Sequence, residues 1–250
     1  MEPMRRLLRE AYVALAVAEK DIKVYYAKPS TVMFGFLLPV SLFLSYVVGR
    51  GVTVDEAIPV LIAQTLLFAS SSIGPVTIPM ERRVKTFDRF LVAPVSLQAI
   101  LVGKTLAGLA YGTVASIPPI AVGLAVGMSV RSPLELALGI ALSSLTFSCM
   151  GVMFASIPTQ NPGQVMMPLN FVRIPMLFVS GVFIPVSRLP AWGRALAALS
   201  PLTYSMDLVR AGIQGARHFG LLTSTLGLLF YFILFLTVAM RFHLVIQKRE

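Results

Sequence analysis

The chain has 250 residues, of which 56% are hydrophobic and 13% charged, with a net charge of +10 and a single cysteine, Cys149. Soluble domains carry about 25% charged residues, so this composition, with a mean hydropathy of +0.82, leaves too few polar side chains to cover a water-facing surface. It points to an integral membrane protein and excludes a disulfide framework or a cysteine metal site; the cations fit the positive side of a membrane protein better than nucleic acid.

In chain order, Arg5 to Ala27 reads as an amphipathic helix, with Leu8, Tyr12, Leu15, Ile22 and Tyr26 near one face and Arg9, Lys20 and Lys23 on others. Such a helix rests in the membrane interface, and Pro29 ends it. The apolar stretch behind Arg5, Arg6 and Arg9 covers only Ala11 to Ala18, too short for a signal peptide with its cleavage site. Six segments then approach the ~20 apolar residues that a span needs. They are Thr31–Gly49, Ile58–Pro79, Ala99–Val126, Leu134–Ile157, Val165–Ile184 and Phe219–Met240. Fourteen of the 21 Lys and Arg residues precede the first span, follow the sixth, or belong to the loop between the second and third, with Lys104 at the start of the third counted among them, against six on the other side. Both termini are therefore expected in the cytoplasm.

Residues 80–98 form a cytoplasmic loop in this reading. Phe87, Phe90 and Leu91 sit at helical spacing, rimmed by Glu81, Arg82, Arg83, Lys85, Asp88 and Arg89. Such a ridge either docks into a groove on another protein or lies in the interface. Val102-Gly103-Lys104-Thr105 looks like the end of a phosphate-binding loop, but Gln98 stands where that loop requires glycine, and the segment opens a membrane helix. Gly108 with Gly112, and Gly123 with Gly127, favour close helix packing.

The fifth span carries Arg173. A cation at that depth is costly unless it lines an aqueous path or snorkels to the interface. Gly181 and Pro185 break the span near its outer end, and irregular backbone there needs protein or water around it. Leu189, Trp192, Leu196 and Leu199 form an apolar face between Pro190 and Pro201, and Leu202–Ile213 makes a second amphipathic helix. Residues 185–217 thus read as an outer re-entrant hairpin, with the break as the place for an external gate. His218 and His243 lie near opposite ends of the last span, too far apart to share a metal. No carboxylate falls inside a span apart from Glu135 at the start of the fourth, which weakens a proton-coupled carrier. No catalytic constellation is visible, and the chain is not expected to be an enzyme. The fold class is all-α: one polytopic membrane domain, residues 1–250, with six transmembrane helices, an N-terminal interfacial helix over 1–29 and the outer hairpin between spans five and six.

The series Ser180-Gly-Val-Phe-Ile-Pro185, Leu189-Pro-Ala-Trp192, Leu199-Ser-Pro-Leu-Thr-Tyr204 and Arg210 resembles the most recognisable stretch of ABC-2-type transporter permeases, the membrane subunits of ABC exporters. Glu81–Pro94 resembles their coupling segment, commonly Glu-Arg-Glu-x-Gly-Thr-Leu-Glu-Arg-Leu-Leu-x-x-Pro. Glu81, Arg82, Thr86, Arg89, Leu91 and Pro94 match, while Arg83 replaces an acid and Lys85 the usual glycine. The resemblance covers essentially the whole chain.

It implies a permease homodimer in the plasma membrane, paired with two copies of a separate P-loop ATPase subunit. The chain then needs no cofactor, since ATP and Mg belong to that partner. Membrane lipids and a small amphipathic or lipid-linked substrate are the other partners, and nucleic acid is not one. Closure of the ATPases would act through Glu81, Arg82, Thr86, Arg89, Phe90 and Pro94. Substrate would pass Phe171, Arg173 and Phe178 and leave by an outer gate at Gly181, Phe183, Pro185 and Trp192. The alternative reading is a secondary carrier or channel working without an ATPase.

Overall fold

The computed structural model describes residues 2–26, 29, 33–48, 51–86 and 95–247. Among them every regular element is helical. Helix α1 (Glu2–Tyr25) is followed by a π-helical turn, Met33–Leu37, that runs into α2 (Leu38–Val47). Then come α3 (Val54–Arg83), α4 (Leu97–Ala125), α5 (Pro133–Phe154) and α6 (Pro162–Val179). A 3-10 turn at Val186–Arg188 leads to α7 (Ala191–Ala198), α8 (Pro201–Gln214) and α9 (Leu221–Gln247).

Helix α3 is the centre of the bundle. Every residue from Ala57 to Pro79 is buried, and α2, α4, α5, α6 and α8 all pack on it. A helix apolar all round, with small polar residues interspersed, has no solvent face to offer and must be enclosed. Ile62, Leu66 and Phe68 of α3 form the core with Phe147 and Met150 of α5, Leu169 of α6 and Leu202 and Met206 of α8. Close backbone approach supplies much of the packing between helices in lipid. Pro75 leaves the Ser71 carbonyl without its helical N–H, and that oxygen lies 2.3 Å from where a Cβ on Gly151 of α5 would sit. On α4, Gly108 and Gly112 meet Ser70, Ser144 and Ser148 of α3 and α5 in the same way.

Four helices among the described residues are long and apolar enough to cross a membrane: Val54–Arg83, Leu97–Ala125, Pro133–Phe154 and Leu221–His243. The expected first and fifth spans fall short of that standard. The apolar helix of the first covers only Gly35–Val47, and residues 31, 32 and 49 lie outside the described set. The fifth is the 18-residue α6, which ends at Val179 and carries Gln164, Asn170, Arg173 and three prolines. Those polar groups lower its mean apolarity.

Helix α1 shows two faces. Ala14, Val17, Ala18 and Asp21 are buried against α4, where Gly103 lets the Ala14 carbonyl and Val17 approach its backbone. Leu8, Tyr12 and Leu15 stay exposed on the other side. Leu8, Tyr12 and Leu15 of the face expected to enter the interface are thus free of the bundle. Tyr26 of the same face instead donates its hydroxyl to the Ala107 carbonyl at 2.6 Å and packs on Tyr111, and a stripe of small residues docks the helix.

Candidate functional site

Three helices converge on a buried ion cluster at the α1 end of the bundle. Lys20 and Asp21 come from α1, Glu81 from the last turn of α3, and Lys104 from the second turn of α4. Asp21, Glu81 and Lys104 have essentially no exposed surface. The Lys104 Nζ lies 2.7 Å from Glu81 and 3.2 Å from Asp21, with the Thr77 hydroxyl at 3.5 Å. Lys20 lies 2.9 Å from Asp21 and also pairs with Glu81. Two cations and two anions balance, which is the condition for keeping such charges inside a protein. Burial disfavours the Lys20 ammonium, but Asp21 and Glu81 outweigh it and hold its pKa above the ordinary lysine value.

This placement corrects part of the sequence reading. Glu81 and Arg82 were expected on the exposed rim of a loop, yet α3 runs on through Arg83 and turns Glu81 inward. Arg82 donates from Nη1 to the carbonyl of Ile157 at 2.6 Å and reaches that of Ala155 at 3.4 Å, satisfying carbonyls just past the end of α5. Thr86 donates its hydroxyl proton to the Glu81 carbonyl at 3.2 Å. Lys85, where the related coupling segments carry glycine, takes φ 57, the left-handed conformation that glycine adopts freely. Arg89, Phe90 and Pro94 lie outside the described residues. The VGKT stretch forms part of α4, with Gly103 against α1, Lys104 in the cluster and Thr105 bonded to the Leu101 carbonyl at 2.9 Å.

The three residues expected along a substrate path separate. Arg173 is fully buried and faces α3, with Ser72 Oγ at 3.4 Å, its own Asn170 at 3.3 Å and the Phe68 ring beneath it at 5.4 Å. Phe171 and Phe178, about two turns apart, project from the opposite side of α6 and are 73% and 60% exposed. Arg173 therefore neither snorkels outward nor joins those two rings on one surface.

At the far end of the bundle, a cavity of about 580 Å³ opens between α2, α3, α8 and the turn before α7. Phe183 and Pro185 line it, and Phe183 stacks on Tyr46 of α2 at 5.4 Å and on Phe178 at 5.5 Å. Gly181 has φ 77 beside Val186. Trp192 is 70% exposed on α7, away from the cavity, so the four expected gate residues do not form one group. Arg217 pairs bidentately with Glu135, its Nε 3.1 Å from Oε2. The buried Asp207 of α8 accepts from the backbone N–H of His218 at 2.6 Å and of Phe219 at 3.3 Å, and from the Ser224 hydroxyl at 2.7 Å. It thereby satisfies donors in the turn that leads into α9 and one hydroxyl in its first turn.

Sequence reasoning missed Asp21, Lys104 and Asp207. Asp21 gave a signal, standing on the Ala14–Val17–Ala18 stripe where an acid has no business without a partner. Among the described residues no group of three or more His, Cys, Asp or Glu could hold a metal ion.

Apolar spans packed around a buried central helix, with the charged groups other than Arg173 gathered toward the two ends, mark a multi-pass membrane protein. The family model for the ABC-2 type transporter matches residues 12–214, and the chain belongs to that family. It is 30% identical over 150 residues to the inner membrane transport permease YadH of Escherichia coli (strain K12), over 60% of this chain and 58% of that one. It is 23% identical over 158 residues to the probable multidrug ABC transporter permease YbhR of the same strain, covering 61% and 42% of the two chains. Over 76 residues, 30% of this chain and 29% of the relative, it is 33% identical to nodulation protein J of Rhizobium leguminosarum bv. viciae. The chain thus spans less than two thirds of the length of these relatives.

Proposed function

We propose that the chain is the permease subunit of an ATP-driven ABC exporter that moves an amphipathic or lipid-linked substrate, with ATP hydrolysed on a separate P-loop subunit. In this reading the α1 end is cytoplasmic, α2 and α6 complete six crossings, α7 and α8 form the outer re-entrant hairpin, and two copies enclose the path. The observation that carries it is the neutral ion cluster tying α1 and α4 to the last turn of α3, immediately before the coupling segment. A 30-residue helix is roughly 45 Å long. Helix α3 therefore reaches from the cluster at Glu81 to the far-end cavity at Glu56 as one rod. Movement imposed on residues 84–94 by a closing ATPase would be delivered to the core through this rod and its buried charges, and packed elements of this kind shift as units.

Purification of the chain from native membranes in mild detergent should bring a P-loop ATPase with it. The pair, reconstituted in vesicles, should transport only with ATP, and R89E should preserve hydrolysis while abolishing transport. Flux through the chain alone, driven by an ion gradient without nucleotide, would overturn this reading in favour of a secondary carrier.

A further inference from the structure

Among the described residues, the carboxylates that line the far-end cavity, Glu56 and Asp207, and Glu135 beside it each have a local partner. Glu135 holds Arg217. Asp207 serves the start of α9. Glu56 accepts from the backbone N–H of Thr53 at 3.4 Å, closing the first turn of α3. Two further guanidiniums line the same cavity, Arg188 from the 3-10 turn and Arg210 from α8. Neither is within hydrogen-bond or ion-pair distance of a described residue, although Tyr46, Asp207 and Glu56 lie near enough to act on Arg210 electrostatically. A guanidinium presents a planar fork of donors that suits carboxylate or phosphate oxygens. The Tyr46–Phe183 pair supplies an aromatic wall beside them. The volume of about 580 Å³ falls among those of small-molecule sites, enough for a headgroup and the first part of an acyl chain.

We propose that this cavity binds the anionic group of an amphipathic molecule, a phosphate or carboxylate held by Arg188 and Arg210 with its apolar portion against Tyr46 and Phe183. The inference names the substrate class for the exporter and rests on that reading only for the ligand's role in transport, since binding requires neither ATP nor a partner.

The test uses the purified full chain in dodecyl maltoside, with binding followed by thermophoresis. Dodecyl phosphate should bind saturably, and inorganic phosphate should compete at higher concentration. R188Q and R210Q should each weaken dodecyl phosphate by about tenfold, the loss of one charged hydrogen bond. R194Q, at an exposed arginine of α7 outside the cavity, should bind as wild type does. Because Arg188 is itself exposed, R188Q decides the matter even if R210Q misfolds. Repeating the titration in nanodiscs separates the sources. Competition by phosphatidylglycerol but not phosphatidylcholine assigns the site to a lipid headgroup, and binding indifferent to the lipid assigns it to a transported amphiphile. Equal binding of dodecyltrimethylammonium, or unchanged affinity in R188Q and in any folded R210Q, would overturn the proposal. The exporter reading would survive that result, because nucleotide-dependent flux tests it separately.

Discussion

Lys104→Met removes a fully buried ammonium and nearly keeps its volume. The distances of 2.7 Å to Glu81 and 3.2 Å to Asp21 correspond to gross attractions of about 6 and 5 kcal/mol at an effective dielectric of 20. Desolvation of the charges offsets most of that in the intact cluster. The substitution leaves Asp21 and Glu81 to share Lys20, and breaking a buried pair from one side costs about 3–5 kcal/mol. At about 2–4 °C per kcal/mol for a chain of this size, K104M should melt roughly 6–20 °C lower when helicity is followed by circular dichroism in mild detergent. Adding Glu81→Gln removes one charge of each sign and should recover most of the loss, a coupling that a double-mutant cycle reads directly. A K104M melt within about 1 °C of wild type, or additive losses in the double variant, would refute the idea that these charges hold the three helices together.

Lys85→Gly should raise the melt by a few degrees, since a left-handed non-glycine residue costs about 1–2 kcal/mol; a lower melt would show that the Lys85 side chain makes a compensating contact. Asp207→Ala should lower stability by about 1–3 kcal/mol through unsatisfied donors at the start of α9. Asp207→Asn keeps an acceptor oxygen and should lose less than half as much; equal losses would make charge rather than hydrogen bonding the cause. Arg173→Met exchanges a buried cation, whose partners among the described residues are all neutral, for an apolar side chain of similar length, so its melt should equal or exceed that of wild type. ATP-driven transport should nevertheless fall if the cation is retained for function. A melt lowered by several degrees would instead assign Arg173 to anchoring α6 on α3.

The helical content and most boundaries were legible because apolar runs, prolines and cap residues act locally. The expected third span, Ala99–Val126, and the observed Leu97–Ala125 differ by two residues at one end and one at the other. Pro190 and Pro201 bracket α7 as expected. The misreadings involve partners distant in the chain. Lys104 looked like a loop cation because its partner Asp21 is 83 residues away, and a rule that sorts cations by side of the membrane cannot see a salt bridge between helices. Glu81 looked exposed because the loop pattern began before α3 had ended. Phe171 and Arg173 face apart for a simpler reason: they are close in sequence, but two positions along a helix turn them to opposite sides.

Helix α3 is walled off by its own siblings. The stretch of it apolar enough to cross a membrane is entirely enclosed within one copy of the chain, whereas only 11% of that of α9 is buried. Neither acyl chains nor a second copy can touch the enclosed helix, so a thicker or thinner host bilayer deforms only the perimeter. The tilt of α9 should follow lipid length, while the spacing between Glu56 and Glu81 stays constant, like an axle in a wheel whose rim alone meets the road.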